Sequence, residues 1–199
     1  MDLLARYEST VQIREDQLVA RCRAGDVEAF GQVYAQYERQ VFRYAYHLVG
    51  HREDADDIKQ ETFLRAYQAL PHFKGECSML CWLLRICGNL CRDRLKSRRR
   101  HPESLADPQT TQDLWPGDAR AQADPHTLLE QRQARETLRR ALAAMPPAHR
   151  EILVLREIEE LPYDEIAEVL GCSLASVKLR LFRARRLLRQ RLTALIDAR

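Results

Sequence analysis

The chain has 199 residues, 45% of them hydrophobic and 31% charged, with seven glycines and eight prolines. That composition suits a mostly helical protein of one ordinary domain or two small ones, and no run reaches the roughly 18 apolar residues that span a bilayer. The opening stretch, Met1 to Asp16, is polar and carries acids, so it does not read as a signal or transit peptide; the cytoplasm is the expected compartment, where six cysteines are expected as thiols.

The net charge is only +3, but it is patterned along the chain. Arg85 to Arg100 holds seven Lys/Arg and one acid, Asp93, and Leu174 to Arg191 holds seven Lys/Arg and no acid. Between them, Glu103 to Pro125 carries five acids against Arg120 alone. Two basic elements separated by an acidic stretch make a patterned chain.

Residues 17 to about 100 read as helices with short breaks. Leu18, Val19 and Cys22, then Ala29, Phe30, Val33, Tyr34 and Tyr37, recur at helical spacing and are split at Gly25-Asp26. A third run, Val41 to Val49, is apolar and aromatic and ends at Gly50. The fourth helix, Glu53 to Leu70, sets Ala55, Ile58, Thr62, Ala66 and Ala69 on one side and Asp54, Asp57, Glu61 and Arg65 on another; Pro71 stops it. A short loop, His72 to Ser78, leads to a fifth helix, Met79 to Arg98, apolar at its start and basic at its end.

The stretch from His101 to about Asp124 is rich in Pro, Gln, Thr, Asp and Gly and lacks periodicity, so it reads as a flexible acidic linker. Helices resume near Pro125 with Leu128, Leu129, Leu138, Ala141, Leu142 and Met145, break at Pro146-Pro147, and continue as 148–160, 163–170 and 174–195. The sequence carries no strand signal and no internal repeat. The expected fold is all-α: two small helical domains joined by a flexible linker.

The segment from Leu161 to Arg186 carries the most information. Ile166, Ala167 and Leu170 give a short helix one apolar face, and Gly171 can take the left-handed conformation that ends it. Ser173 can cap the basic helix that follows. Helix, tight turn with glycine, then basic helix is a helix-turn-helix, whose second helix enters the major groove. Base-edge candidates are Ser176, Lys178, Leu179, Phe182 and Arg183; Val177 and Leu181 should face inward. Arg180, Arg185, Arg186 and Arg189 are placed to meet phosphates. A solvated basic helix on a bundle is the plainer alternative, and the apolar–Gly–Ser grammar argues against it. Pro162 stands where a capping Ser or Thr would, so Glu165 lacks a capping-box partner.

The chain outside the linker resembles a group 4, or extracytoplasmic function (ECF), sigma factor of the sigma-70 class. Region 2 is recognisable in Asp54-Ala-Asp-Asp-Ile-Lys-Gln-Glu-Thr-Phe-Leu-Arg-Ala-Tyr67, in Phe73-Lys-Gly, in Trp82-Leu-Leu-Arg-Ile-Cys-Gly-Asn89, in Asp93 and in Arg98-Arg-Arg100. Region 4 is the helix-turn-helix, preceded by Leu142-Ala-Ala-Met-Pro-Pro-Ala-His-Arg-Glu-Ile-Leu-Val-Leu155. The organisation this implies is a polar extension over 1–16, region 2 over 17–100, a linker over 101–127 and region 4 over 128–199.

The resemblance implies roles. Asp54, Asp57, Gln60, Glu61 and Leu64 would dock on the clamp helices of the polymerase beta-prime subunit, and carboxylates on an exposed face suit a basic partner. The loop Lys74, Gly75, Glu76, Cys77, Ser78 and Met79 would capture a flipped −10 base, with Asn89 reading or supporting it. Arg85, Arg92, Arg94 and Lys96 would hold the separated strand; Trp82 fits core packing better than base stacking. The linker would follow the RNA exit path. The −35 element would meet Ser173, Ser176, Lys178, Leu179, Arg180, Phe182, Arg183 and Arg186. Implied partners are core RNA polymerase (beta-prime clamp helices and beta flap), promoter DNA and an anti-sigma factor, with no small-molecule substrate and no cofactor.

Two departures stand out. Lys178-Leu179 occupy positions where many relatives carry Arg-Ser, so a bidentate fork is replaced by a point charge and an apolar contact suited to a thymine methyl. The base-capturing loop holds Glu76-Cys77-Ser78, which does not name the −10 base. Cys77/Cys81 and Cys87/Cys91 are each four apart, but this is not zinc-ribbon spacing, and the turn of about 600° from Cys81 to Cys87 puts the pairs on different faces. They read as small buried hydrophobes, with redox or metal sensing as the alternative.

A stand-alone helix-turn-helix regulator would need a receiver or ligand domain, and the N-terminal half shows none of the expected strand–helix alternation. An enzyme is the third possibility. No glycine-rich phosphate loop, HExxH motif or nucleophile–base pair is present, so catalysis is expected to belong to the partner.

Overall fold

The computed structural model describes residues 17–100 and 125–197. The extension over 1–16 and the linker up to residue 124 lie outside the described residues, as do the side chains of Leu128 and Leu129. A short α1 (17–23) leads into α2 (Val27–Val49), α3 (Arg52–Ala69), a 3-10 turn (Leu70–His72) and α4 (Met79–Arg100). The second half comprises α5 (Pro125–Ala143), α6 (Pro147–Leu153), a π-helical segment (Val154–Ile158), α7 (Tyr163–Leu170) and α8 (Leu174–Asp197).

The caps follow from side-chain chemistry. Asp26 opens α2 by accepting from the Ala29 N–H at 3.1 Å, and Arg21 holds the same carboxylate. The expected break between Tyr37 and Val41 is absent: α2 runs unbroken and buries Ala29, Val33, Tyr37, Val41 and Tyr44 along one stripe. Glu53 and Asp54 sit in the first turn of α3, where the helix dipole favours acids. Ser78 caps α4 through the Cys81 N–H at 3.2 Å. Phe73 folds back onto Trp82 with ring centroids 4.6 Å apart, which ties the loop 73–78 to the start of α4.

In the second half the expected helix 148–160 is shorter and changes form. Its last turn widens into the π segment, and Glu160 takes a positive φ of 57°. Pro162 precedes α7 and supplies no side-chain cap. Gly171, at φ 59° and ψ 46°, closes α7 in the left-handed conformation that a side chain resists. Ser173 then accepts from the Ser176 N–H at 3.3 Å and starts α8.

Helices α2, α3 and α4 pack as a three-helix bundle, and α5 and α6 pack with α7 on α8. The halves are in contact as well. α7 lies on α4, and α6 and the π segment lie on α2. Val41, Leu83 and Leu84 therefore belong to the same buried cluster as Leu155, Ile166 and Leu181.

Candidate docking and nucleic-acid surfaces

The acidic side of α3 divides in two. Asp57, Gln60, Leu64 and Arg65 are exposed, and Glu61 is paired with Arg65 at 2.7 Å. Asp54 departs from the exposed face expected of it: the residue is only 8% exposed, and its carboxylate is held by Arg98 and, at 3.0 Å, by Arg94. The reason is tertiary. Helix α4 crosses α3 at this turn, and two of its arginines reach the nearest carboxylate. Arg94 also lies 3.7 Å from Asp57. Leu64 continues into an apolar patch with Tyr67, whose ring stands 5.0 Å from that of Phe30.

Along the loop, Lys74, Gly75 and Glu76 are exposed, Cys77 and Ser78 are half-buried, and Met79 is buried. Trp82 is buried, so its ring anchors the helix. On α4, Arg85, Asn89, Arg92 and Lys96 fall at i, i+4, i+7 and i+11 and share one face. Their partners differ. Arg85 is exposed, and Lys96 lies 3.4 Å from Asp93. Arg92 spans Asn89 and Glu151, a residue of α6. Arg94, also expected on the separated strand, faces α3 instead.

Glu151 belongs to a polar set that joins the halves and that the sequence reading did not find. It is 5% exposed, accepts from the Tyr44 hydroxyl at 3.1 Å and from Arg92, and its burial pushes its pKa up against the pull of Arg92. Arg43 on α2 pairs with the buried Glu159 through two bonds, of 2.9 and 2.5 Å. Burial outweighs Arg43 and raises the Glu159 pKa too. Arg150 donates to the carbonyls of Leu142, Ala143 and Met145 at the end of α5 and to that of Leu48 at the end of α2. The Cys81 thiol meets the Glu165 carbonyl at 3.5 Å. A charge inside an apolar run, such as Glu151 before Ile152-Leu153-Val154-Leu155, was the one local signal of such a pairing.

In the second half, Val177 and Leu181 of α8 and Ile166 and Val169 of α7 are buried in one cluster, where α7 packs on α8. The outer face of α8 shows Lys178, Leu179, Arg180, Phe182, Arg183 and Arg186, with Leu179 at 49% and Phe182 at 65% exposure. Ser173 and Ser176 are linked hydroxyl to hydroxyl at 3.1 Å. Arg185, expected at a phosphate, is instead held by Glu157 at 2.7 Å.

Cys22, Cys81, Cys87 and Cys91 are buried, and Cys77 and Cys172 are half-buried. Burial pushes the Cys81 thiol well above its ordinary pKa, and Cys91 is raised by its bond to Cys87 and by burial. Among the described residues, no group of three or more His, Cys, Asp or Glu side chains could hold a metal ion. No helix among them is long and apolar enough to cross a membrane.

A helix-turn-helix with an exposed basic recognition helix, set beside a bundle with an acidic outer stripe, defines a protein of transcription. Residues 33–101 match the family Sigma-70 region 2, and residues 135–188 match Sigma-70, region 4. The chain is 31% identical over 176 residues to the RNA polymerase sigma-H factor of Pseudomonas aeruginosa, covering 87% of this chain and 91% of that one. It is 31% identical over 187 residues to the ECF RNA polymerase sigma-E factor of Escherichia coli, covering 93% and 97%. Among solved structures it resembles CnrH in complex with the cytosolic domain of CnrY, at TM-score 0.64 and 29% identity over 92% of this chain and 97% of that one. RpoE of Bartonella quintana, solved with the anti-sigma factor NepR, shares the fold at TM-score 0.65 and 21% identity over 84% and 98%. The chain belongs to the ECF sigma factors of the sigma-70 family, the RNA polymerase subunits that direct promoter-specific initiation.

Proposed function

We propose that the chain works through three surfaces. Asp57, Gln60, Glu61 and Leu64 on α3 dock on the beta-prime clamp helices of core polymerase, with Asp54 bracing α3 against α4 from beneath. The loop Lys74 to Met79 and the Arg85–Asn89–Arg92–Lys96 face of α4 capture and hold the −10 strand. The outer face of α8 reads the −35 element, with Leu179 and Phe182 making apolar contact beside Lys178 and Arg183. The protein acts in the cytoplasm, has no catalytic activity of its own, and is held by an anti-sigma factor. CnrH, the solved neighbour named above, is itself held by a partner, the cytosolic domain of CnrY.

One observation carries the reading: a single chain presents an exposed acidic-apolar stripe on one helix and an exposed basic-apolar recognition face on another. Carboxylates orient docking to a basic partner, and a basic helix meets DNA. The test is co-elution of the purified chain with bacterial core RNA polymerase, followed by mapping of transcript starts on genomic fragments. Co-elution with discrete new starts is expected. Specific binding to duplex DNA alone, with no binding to core, would make the chain a stand-alone regulator.

A further inference from the structure

The polar contacts between the halves meet at one small cup on α4. Its floor is Gly88, its walls are the Tyr44 hydroxyl and the Arg92 guanidinium, and its occupant is the Glu151 carboxylate. Gly88 leaves the room that this contact occupies. A Cβ there would stand 2.9 Å from the Tyr44 oxygen and 3.0 Å from Glu151 Oε1, closer than side chains pack. The Glu151 oxyanion is therefore held by one hydroxyl donor and one guanidinium from the first half, with room left by Gly88, while the charge of Arg180 on α8 also acts on it. Carboxylates and phosphates both satisfy such donors, and a guanidinium fork takes either.

The position of the cup suggests what else it takes. Arg92 stands between Arg85 and Lys96 on the face of α4 assigned above to the separated strand, and Asn89, one turn before, bonds to it. A row of cations at helical spacing follows a phosphate backbone. We propose that Glu151 is an internal stand-in for a DNA phosphate: with the second half folded onto the first, its carboxylate fills the anion site of Tyr44, Gly88 and Arg92, and a phosphate of the separated promoter strand takes the same site once the halves part. The proposal rests on the reading of α4 as the strand-holding helix. The contact is also built to be released. Glu151 and Glu159 are both buried carboxylates, and desolvation of an ion pair offsets much of its attraction. A second anion offered in high local concentration can then displace the first.

The experiment uses the full chain, a fluorescein-labelled single-stranded DNA of mixed sequence and small-angle scattering. Glu151→Gln removes the charge in the cup. Glu159→Gln loosens the halves from the Arg43 side and leaves the cup intact, so the test survives if the first variant folds poorly. Both variants are expected to enlarge the radius of gyration and to tighten DNA binding by about fivefold or more, because a larger fraction of the chain is binding-competent. Adding Arg92→Gln to either is expected to abolish the gain. Expansion with unchanged DNA affinity overturns the shared site, as does a gain that survives Arg92→Gln. Unchanged size and affinity in both variants overturns the latch. Failure of the wild-type chain to bind core polymerase would count against the docking reading instead, and is measured separately.

Discussion

Asp54 and Asp57 are three residues apart on α3 and have different surroundings. Local spacing put them on one face together with Glu61; the arginines that turn Asp54 inward lie 40 and 44 positions further on, which no helical periodicity reveals. Asp54→Asn is expected to destabilise the fold by about 1–3 kcal/mol, since it leaves two partly buried guanidiniums short of charge. Asp57→Ala should leave the denaturation midpoint within about 0.5 kcal/mol and weaken core polymerase binding. Denaturant titration and polymerase co-elution separate the two. His47 gives a second residue-scale test. Burial pushes its pKa down from 6.5 to about 4, so the folded chain binds the proton less readily than the unfolded one. The stability this contributes is present above pH 6.5 and is lost as pH falls toward 4, by an amount on the order of 3 kcal/mol. The stability difference between wild type and His47→Asn should shrink over that window. The cysteines are expected to follow their burial: a thiol reagent should label Cys77 and Cys172 in the native chain and reach Cys81, Cys87 and Cys91 only on unfolding.

At the scale of elements, the helix-turn-helix was the most legible part. Its apolar positions, its glycine and its capping serine are all local signals, and each occupies the place its chemistry requires. Ser173→Ala should cost about 1 kcal/mol of stability through the lost cap and weaken binding to −35 duplex, measured by thermal denaturation and anisotropy. The π segment was not legible, because nothing in Val154 to Ile158 differs in kind from an α-helical turn. Nor was Arg150, which closes the carbonyl ends of two helices from different halves. Arg150→Met is expected to cost on the order of 3 kcal/mol, by removing several charge-assisted bonds at once.

At the scale of the whole molecule, two helical parts were legible in the periodicity on either side of residues 101–124, and the contact between those parts stayed hidden. It depends on pairs more than 100 residues apart, Tyr44 with Glu151 and Arg43 with Glu159.

The cluster that includes Val41, Leu83, Leu155 and Ile166 is continuous across both halves. Separating them exposes oily faces that a protein of this size ordinarily hides. An opened chain without a partner is therefore a sticky one, prone to self-association and precipitation, whereas the folded-together chain can accumulate in solution and be held in reserve. Solubility and readiness to act are set against each other by one shared core.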